Sequence, residues 1–123
     1  CKGAYAEAQE VAFIERTDIS KAYVRSMRAL LESPAYPMLA THDPSIIEIG
    51  QALALRAARA KDAFEFQMLL GVRPEEQVRL ASLGYKVRVY VPYGAQWYPY
   101  MMRRMAEKPA NLALFLRSLT SRS

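Results

Sequence analysis

Apolar and polar positions along the chain change their spacing several times, and each change marks an element boundary. Residues 86–91 alternate strictly, with Val87, Val89 and Val91 on one side and Lys86, Arg88 and Tyr90 on the other, which is a strand pattern. Two other apolar runs have strand length, 36–41 (YPMLAT) and 63–69 (AFEFQML). In the second, Glu65 and Gln67 share one face while Phe64, Phe66 and Met68 share the other, because successive side chains of a strand point to opposite sides. Helical spacing fills the stretches between. Ala22, Tyr23, Met27, Leu30 and Leu31 form a stripe over 21–31, with Asp18 or Ser20 as its cap and Ser33-Pro34 as its end. Asp43-Pro44 reads as an N-cap acid followed by a first-turn proline. The helix it opens runs to about residue 60, with Ile46, Ile47, Ile49, Leu53 and Leu55 at its apolar positions. Arg73-Pro74 opens a third helix through Leu83, closed by Gly84. After a turn at 92–94 a fourth helix runs over 98–108, stopped by Pro109, and 112–119 makes a last helical segment. At the beginning, 2–5 (KGAY) reads as a strand end and 6–14 as a weaker helical pattern.

The order is strand end, helix, strand, helix, strand, helix, strand, helix. Repeated βα units imply an α/β fold with a parallel sheet and helical crossovers. About four such units are half of an eight-fold TIM barrel, which takes about 250 residues. An open doubly wound sheet gives the same alternation, but its glycine fingerprint GxGxxG is missing. The expectation is one domain over 1–123 forming half of a (βα)8 barrel. The chain opens on Cys1-Lys2, already inside a strand end and without an initiator methionine, which points to a piece of a longer protein.

Composition narrows the function classes. With 52% hydrophobic residues the chain has material for a globular core. The net charge of +5 is spread along the chain without a long run of like charges. A protein that tracks nucleic acid clusters its Lys and Arg, so the charge is better read as serving an anionic small ligand, or as simply surface, than as a nucleic-acid site. The single cysteine, Cys1, can form no internal disulfide, which fits a reducing, cytoplasmic compartment. The longest apolar candidate, 111–116, is far too short to span a membrane.

Candidate chemistry concentrates in 98–111, YPYMMRRMAEKPAN. Tyr100, Arg103, Arg104 and Glu107 stand at i, i+3, i+4 and i+7, which on a helix is one face. Two adjacent guanidinium forks suit a carboxylate or a phosphate, and Glu107 can hold Arg103 through an i,i+4 pair. The same spacing also describes a solvent-facing helix with an ordinary salt bridge. Ligands of parallel βα folds sit at the C-terminal ends of strands; the polar residues there are Lys2 and Tyr5, Thr41 and His42, Glu65 and Gln67, and Tyr90. Glu65 and Gln67 need partners if their strand is buried. His42, the only histidine, reads first as a hydrogen-bonded loop or cap residue. No metal-ligand spacing is present, and Met101, Met102 and Met105 read as packing. Two other classes share these features: a different βα-barrel enzyme holding a phosphate, and a basic, non-enzymatic interaction module.

The motifs KGAY at 2–5, ATHD at 40–43, EFQMLLGVR at 65–73, VRVYVPYG at 87–94 and YMMRRMAEKPAN at 100–111 occur in the order seen in proline dehydrogenases. Nearly the whole chain resembles the C-terminal half of one, of the single-activity bacterial type, and Tyr-x-x-Arg-Arg-x-x-Glu is the most specific part. The resemblance implies a distorted (βα)8 barrel whose last helix lies over the mouth, with the N-terminal half absent here. It implies FAD-dependent oxidation of L-proline to 1-pyrroline-5-carboxylate, with electrons leaving to a membrane quinone and a peripheral seat on the membrane. Carried over by residue, Arg103 and Arg104 would clamp the substrate carboxylate, Tyr90 and Tyr100 would wall its ring, and Glu107 would brace the arginines. Lys2, Gly3, Ala4, Thr41 and His42 would contact FAD, Tyr5 would line the site beside it, and Glu65 with Gln67 would support it. The family's further flavin-contacting arginine, a substrate-binding lysine and an acidic flavin partner would precede Cys1. The chain alone is therefore expected to be inactive and to self-associate.

Overall fold

The computed structural model describes residue 8 and residues 10–106; of 101 and 103–106 it describes the backbone only. The elements are α1 (Arg16–Glu32), β1 (Met38–Ala40), α2 (Pro44–Arg56), β2 (Glu65–Leu69), α3 (Pro74–Ser82), β3 (Lys86–Tyr90) and α4 (Trp97–Ala106). The expected strand end at 2–5 and the last helix at 112–119 lie outside the described residues. No helix among the described residues is long and apolar enough to cross a membrane.

The three strands form one parallel sheet in the order β1-β2-β3. Leu39 stands beside Phe66 and Phe66 beside Val87. These side chains share one face, and on it Met27 and Leu31 of α1, Ile46, Ile47 and Ala54 of α2, and Leu80 of α3 close a core over Phe64, Phe66 and Met68. Phe64, Phe66 and Tyr85 meet edge to face with centroids 5.6–5.7 Å apart, the arrangement that the ring quadrupoles favour. At Gly50 an added Cβ would come within 3.3 Å of Leu39 and Met27, so glycine there lets α2 lie close to the sheet. Spatial order equals chain order, and the helices α1, α2 and α3 contribute to one core on one face. This is a mixed α/β arrangement with a small parallel sheet, consistent with a partial βα-barrel. The opposite face carries Met38, Ala40, Glu65, Gln67, Leu69, Lys86, Arg88 and Tyr90.

Several boundaries differ from the pattern reading. Residues 10–15 are turns and bends and not part of a helix. Val11, Phe13 and Ile14 are 57–75% exposed, so the weak periodicity there is not matched by a buried face among the described residues. Helix α1 begins earlier than residue 21, after Glu15, with no side-chain cap; Asp18 lies in its first turn, where a carboxylate still favours the helix dipole. Helix α2 ends short of residue 60 because Ala58 turns to φ 50. Its start is as read: the Asp43 carboxylate accepts from the N–H groups of Ser45 and Ile46 at 3.0 and 3.3 Å. Strand β1 is shorter than 36–41, and Gly84, at φ 84, follows α3 as expected. Arg59 donates to the carbonyls of Leu31, Ser33 and Ala35, binding the end of α1 to the loop before β2.

Candidate functional site

Three loops meet at the C-terminal end of the sheet. In the loop between β1 and α2, Thr41 is buried and its Oγ1 accepts from the N–H of Asp43 at 3.2 Å. The imidazole Nε2 of His42 accepts from the N–H of Leu69 at 2.8 Å. Leu69 is the last residue of β2, and β1 stops before it can offer a carbonyl there. The side chain thus stands in for the missing strand partner, and the bond places the neutral ring's proton on Nδ1. From the other side, Gln77 of α3 donates to the carbonyls of Leu69 and Val72 at 3.1 and 3.0 Å.

The third loop carries β3 into α4. Here Tyr90 and Tyr100 meet edge to face with centroids 5.9 Å apart. Together with Pro92, Gln96 and Trp97 they line an open cleft of about 390 Å³. The contact brings the start of α4 against the tip of β3. Positions 103 and 104 follow Tyr100 by one turn on the same helix; their side chains, and Glu107, Lys2, Gly3, Ala4 and Tyr5, lie outside the described residues.

Below the strand tips, on the face opposite α1, α2 and α3, Glu65 is 3% exposed. Its carboxylate accepts from Arg88 Nε and Nη2 at 2.6 and 2.9 Å, from Gln67 Nε2 at 2.7 Å and from the Tyr36 hydroxyl at 3.4 Å. The Arg88 fork, then the Gln67 amide, holds the carboxyl at about 2, well below its ordinary 4.5, and burial only partly opposes them. The expected sharing of a face by Glu65 and Gln67 is seen, and they touch each other. Their other partners, Arg88 and Tyr36, were not singled out from the sequence. Arg88 stands in the alternating 86–91 run two residues before Tyr90, but only the strand register shows that it reaches Glu65. Among the described residues no three His, Cys, Asp or Glu side chains gather as a metal-holding group.

The sequence model of the family described as proline dehydrogenase matches residues 2–116. The chain belongs to the proline dehydrogenase family. It is 44% identical over 121 residues to proline dehydrogenase 2 of Bacillus subtilis (strain 168), covering 98% of this chain and 40% of that protein. Proline dehydrogenase of Deinococcus radiodurans is 44% identical over 118 residues, covering 96% of this chain and 38% of that protein. The chain spans about 40% of the length of these curated relatives. The proline dehydrogenase match takes in every candidate residue from Lys2 to Glu107, including those beyond the described part.

Proposed function

We propose that this chain forms the C-terminal half of a distorted (βα)8 barrel that oxidises L-proline to 1-pyrroline-5-carboxylate with FAD. The observation that carries the reading is the 5.9 Å contact between Tyr90 and Tyr100. It ties the helix bearing the arginine pair to a strand tip, which is where barrels of this class do chemistry. An aromatic cleft beside a sheet face lined by polar side chains also suits a flat, hydrogen-bonding heterocycle.

In this reading Arg103 and Arg104 grip the proline carboxylate through paired N–H groups, and Glu107 braces them from the next turn. Tyr90 and Tyr100 wall the pyrrolidine ring, with Tyr5 completing the wall. Lys2, Gly3, Ala4, Thr41 and His42 hold the cofactor, and the Glu65–Gln67 pair supports it from beneath. FAD, when bound, supplies the two-electron acceptor. The chain's own contribution is orientation and exclusion of water, which hydride chemistry needs more than acid–base power. A membrane quinone as the onward acceptor, and a cytoplasmic enzyme seated peripherally at the inner face of the bacterial membrane, complete the proposal. Because relatives are longer, the chain alone holds part of the site and is expected to turn over no proline.

The test is a chimera in which this chain replaces the matching segment of the Deinococcus radiodurans protein. The reading expects a yellow protein that reduces a dye in a proline-dependent way. A folded chimera that retains flavin and does not respond to proline overturns it.

A further inference from the structure

Arg73 takes no part in the reading above, and its backbone is unusual. It precedes α3 with φ 53 and ψ 57, a left-handed conformation that costs every residue except glycine. Its side chain, 28% exposed, crosses to the neighbouring loop, where Nη1 donates to the carbonyl of His42 at 2.9 Å, 31 residues away in sequence. Glu76 stands 3.9 Å from Nη2 and is itself engaged by Arg79 at 2.6 Å. The Arg73 bond therefore does not duplicate a tight ion pair. It fixes the backbone of the same residue whose imidazole accepts from Leu69. His42 is held at both ends, through its ring by β2 and through its carbonyl by Arg73.

If a helix start were all this position had to provide, glycine would adopt φ 53 more easily and no long side chain would be needed. Strain kept at one residue while its side chain fixes a loop at a strand mouth is the combination expected at a functional site. We propose that Arg73 is a positioning residue, fixing the backbone at Thr41 and His42 so that this loop is preorganised for the flavin cofactor. The inference rests on the proposed function only in taking that loop as a cofactor contact. It adds a residue that acts on that loop through His42.

The experiment compares Arg73→Gly and Arg73→Lys with the parent in the complete enzyme. FAD affinity is measured by titrating the apoprotein and following flavin fluorescence, and the melting temperature of the apoprotein is measured alongside. For Arg73→Gly the expected result is FAD binding weakened roughly tenfold, the ratio that about 1.4 kcal/mol represents. Its apoprotein melts no lower than the parent, because glycine relaxes the backbone. Arg73→Lys recovers most of the affinity, since one ammonium N–H suffices for one carbonyl. Unchanged FAD affinity in Arg73→Gly overturns the proposal. So does weakened affinity accompanied by an equal fall in apoprotein melting in both variants, which is what a merely structural residue gives. A parent enzyme that binds no flavin overturns the functional reading itself, and the proposal with it.

Discussion

Glu65 carries a negative charge on the sheet face opposite α1, α2 and α3, and three neighbouring side chains are committed to it. Its carboxyl titrates at about 2 against an ordinary 4.5. A carboxyl depressed in the folded state adds stability that is present above the unfolded value and lost as pH falls through the folded one. The window is therefore from about 4.5 down to about 2. Glu65→Gln should flatten the fall of stability in that window, measured as melting temperature against pH, whereas a parallel fall in both proteins would place the acid sensitivity elsewhere. At neutral pH the variant should be the less stable, because Arg88 loses its bidentate acceptor. The need for a partner was legible in the sequence, since Glu65 alternates with Phe64 and Phe66 on a strand that must be buried. Which residue answers was not legible, because Arg88 reaches Glu65 only through the register that sets Gln67 beside Arg88. The same holds for Arg73 and His42, whose bond joins loops 31 residues apart.

At the level of elements, strands and helix starts with strong local chemistry were readable, and ends decided by packing were not. Asp43-Pro44 opens α2 as the sequence implies, since capping acts within a few residues. Asp43→Ala should lower stability by about 1 kcal/mol, read as a lower melting temperature, and no change would mean that the Ser45 and Ile46 N–H groups find other acceptors. The start of α1 escaped the reading because no cap side chain marks it; the buried pair Met27 and Leu31 supports the helix from its other end. Strands β2 and β3 were placed to within a residue or two by alternation and apolar content. Strand β1 was overextended because Pro37 offers the ladder only its carbonyl, which accepts from the Glu65 N–H, and Thr41 is engaged in the turn at Asp43. Helix α4 was expected from its spacing, and its contact with β3 through Tyr90 and Tyr100 gives that spacing a place in the fold.

At the scale of the whole molecule, three parallel strands in sequential order with α1, α2 and α3 on one face leave most of the other face open among the described residues. Met38 and Tyr90 on it are 59% and 52% exposed, and among the described residues the outer edges of β1 and β3 have no strand partner. Unpaired edges invite pairing with another chain, so the isolated chain should self-associate in sedimentation velocity, and a stable monomer would contradict that. The α/β class with its parallel sheet was legible because βα alternation is a property of the whole pattern. In the proposed site the arginine pair of α4 would read the carboxylate of proline. The most direct measurement is kcat/KM for proline against pyrrolidine, which lacks that carboxylate, in the complete enzyme and in its Arg104→Met variant. The preference for proline should fall by roughly tenfold or more in Arg104→Met, the scale of a lost charge-assisted pair, while turnover of pyrrolidine is unchanged. An equal loss for both substrates, or none for either, would contradict it.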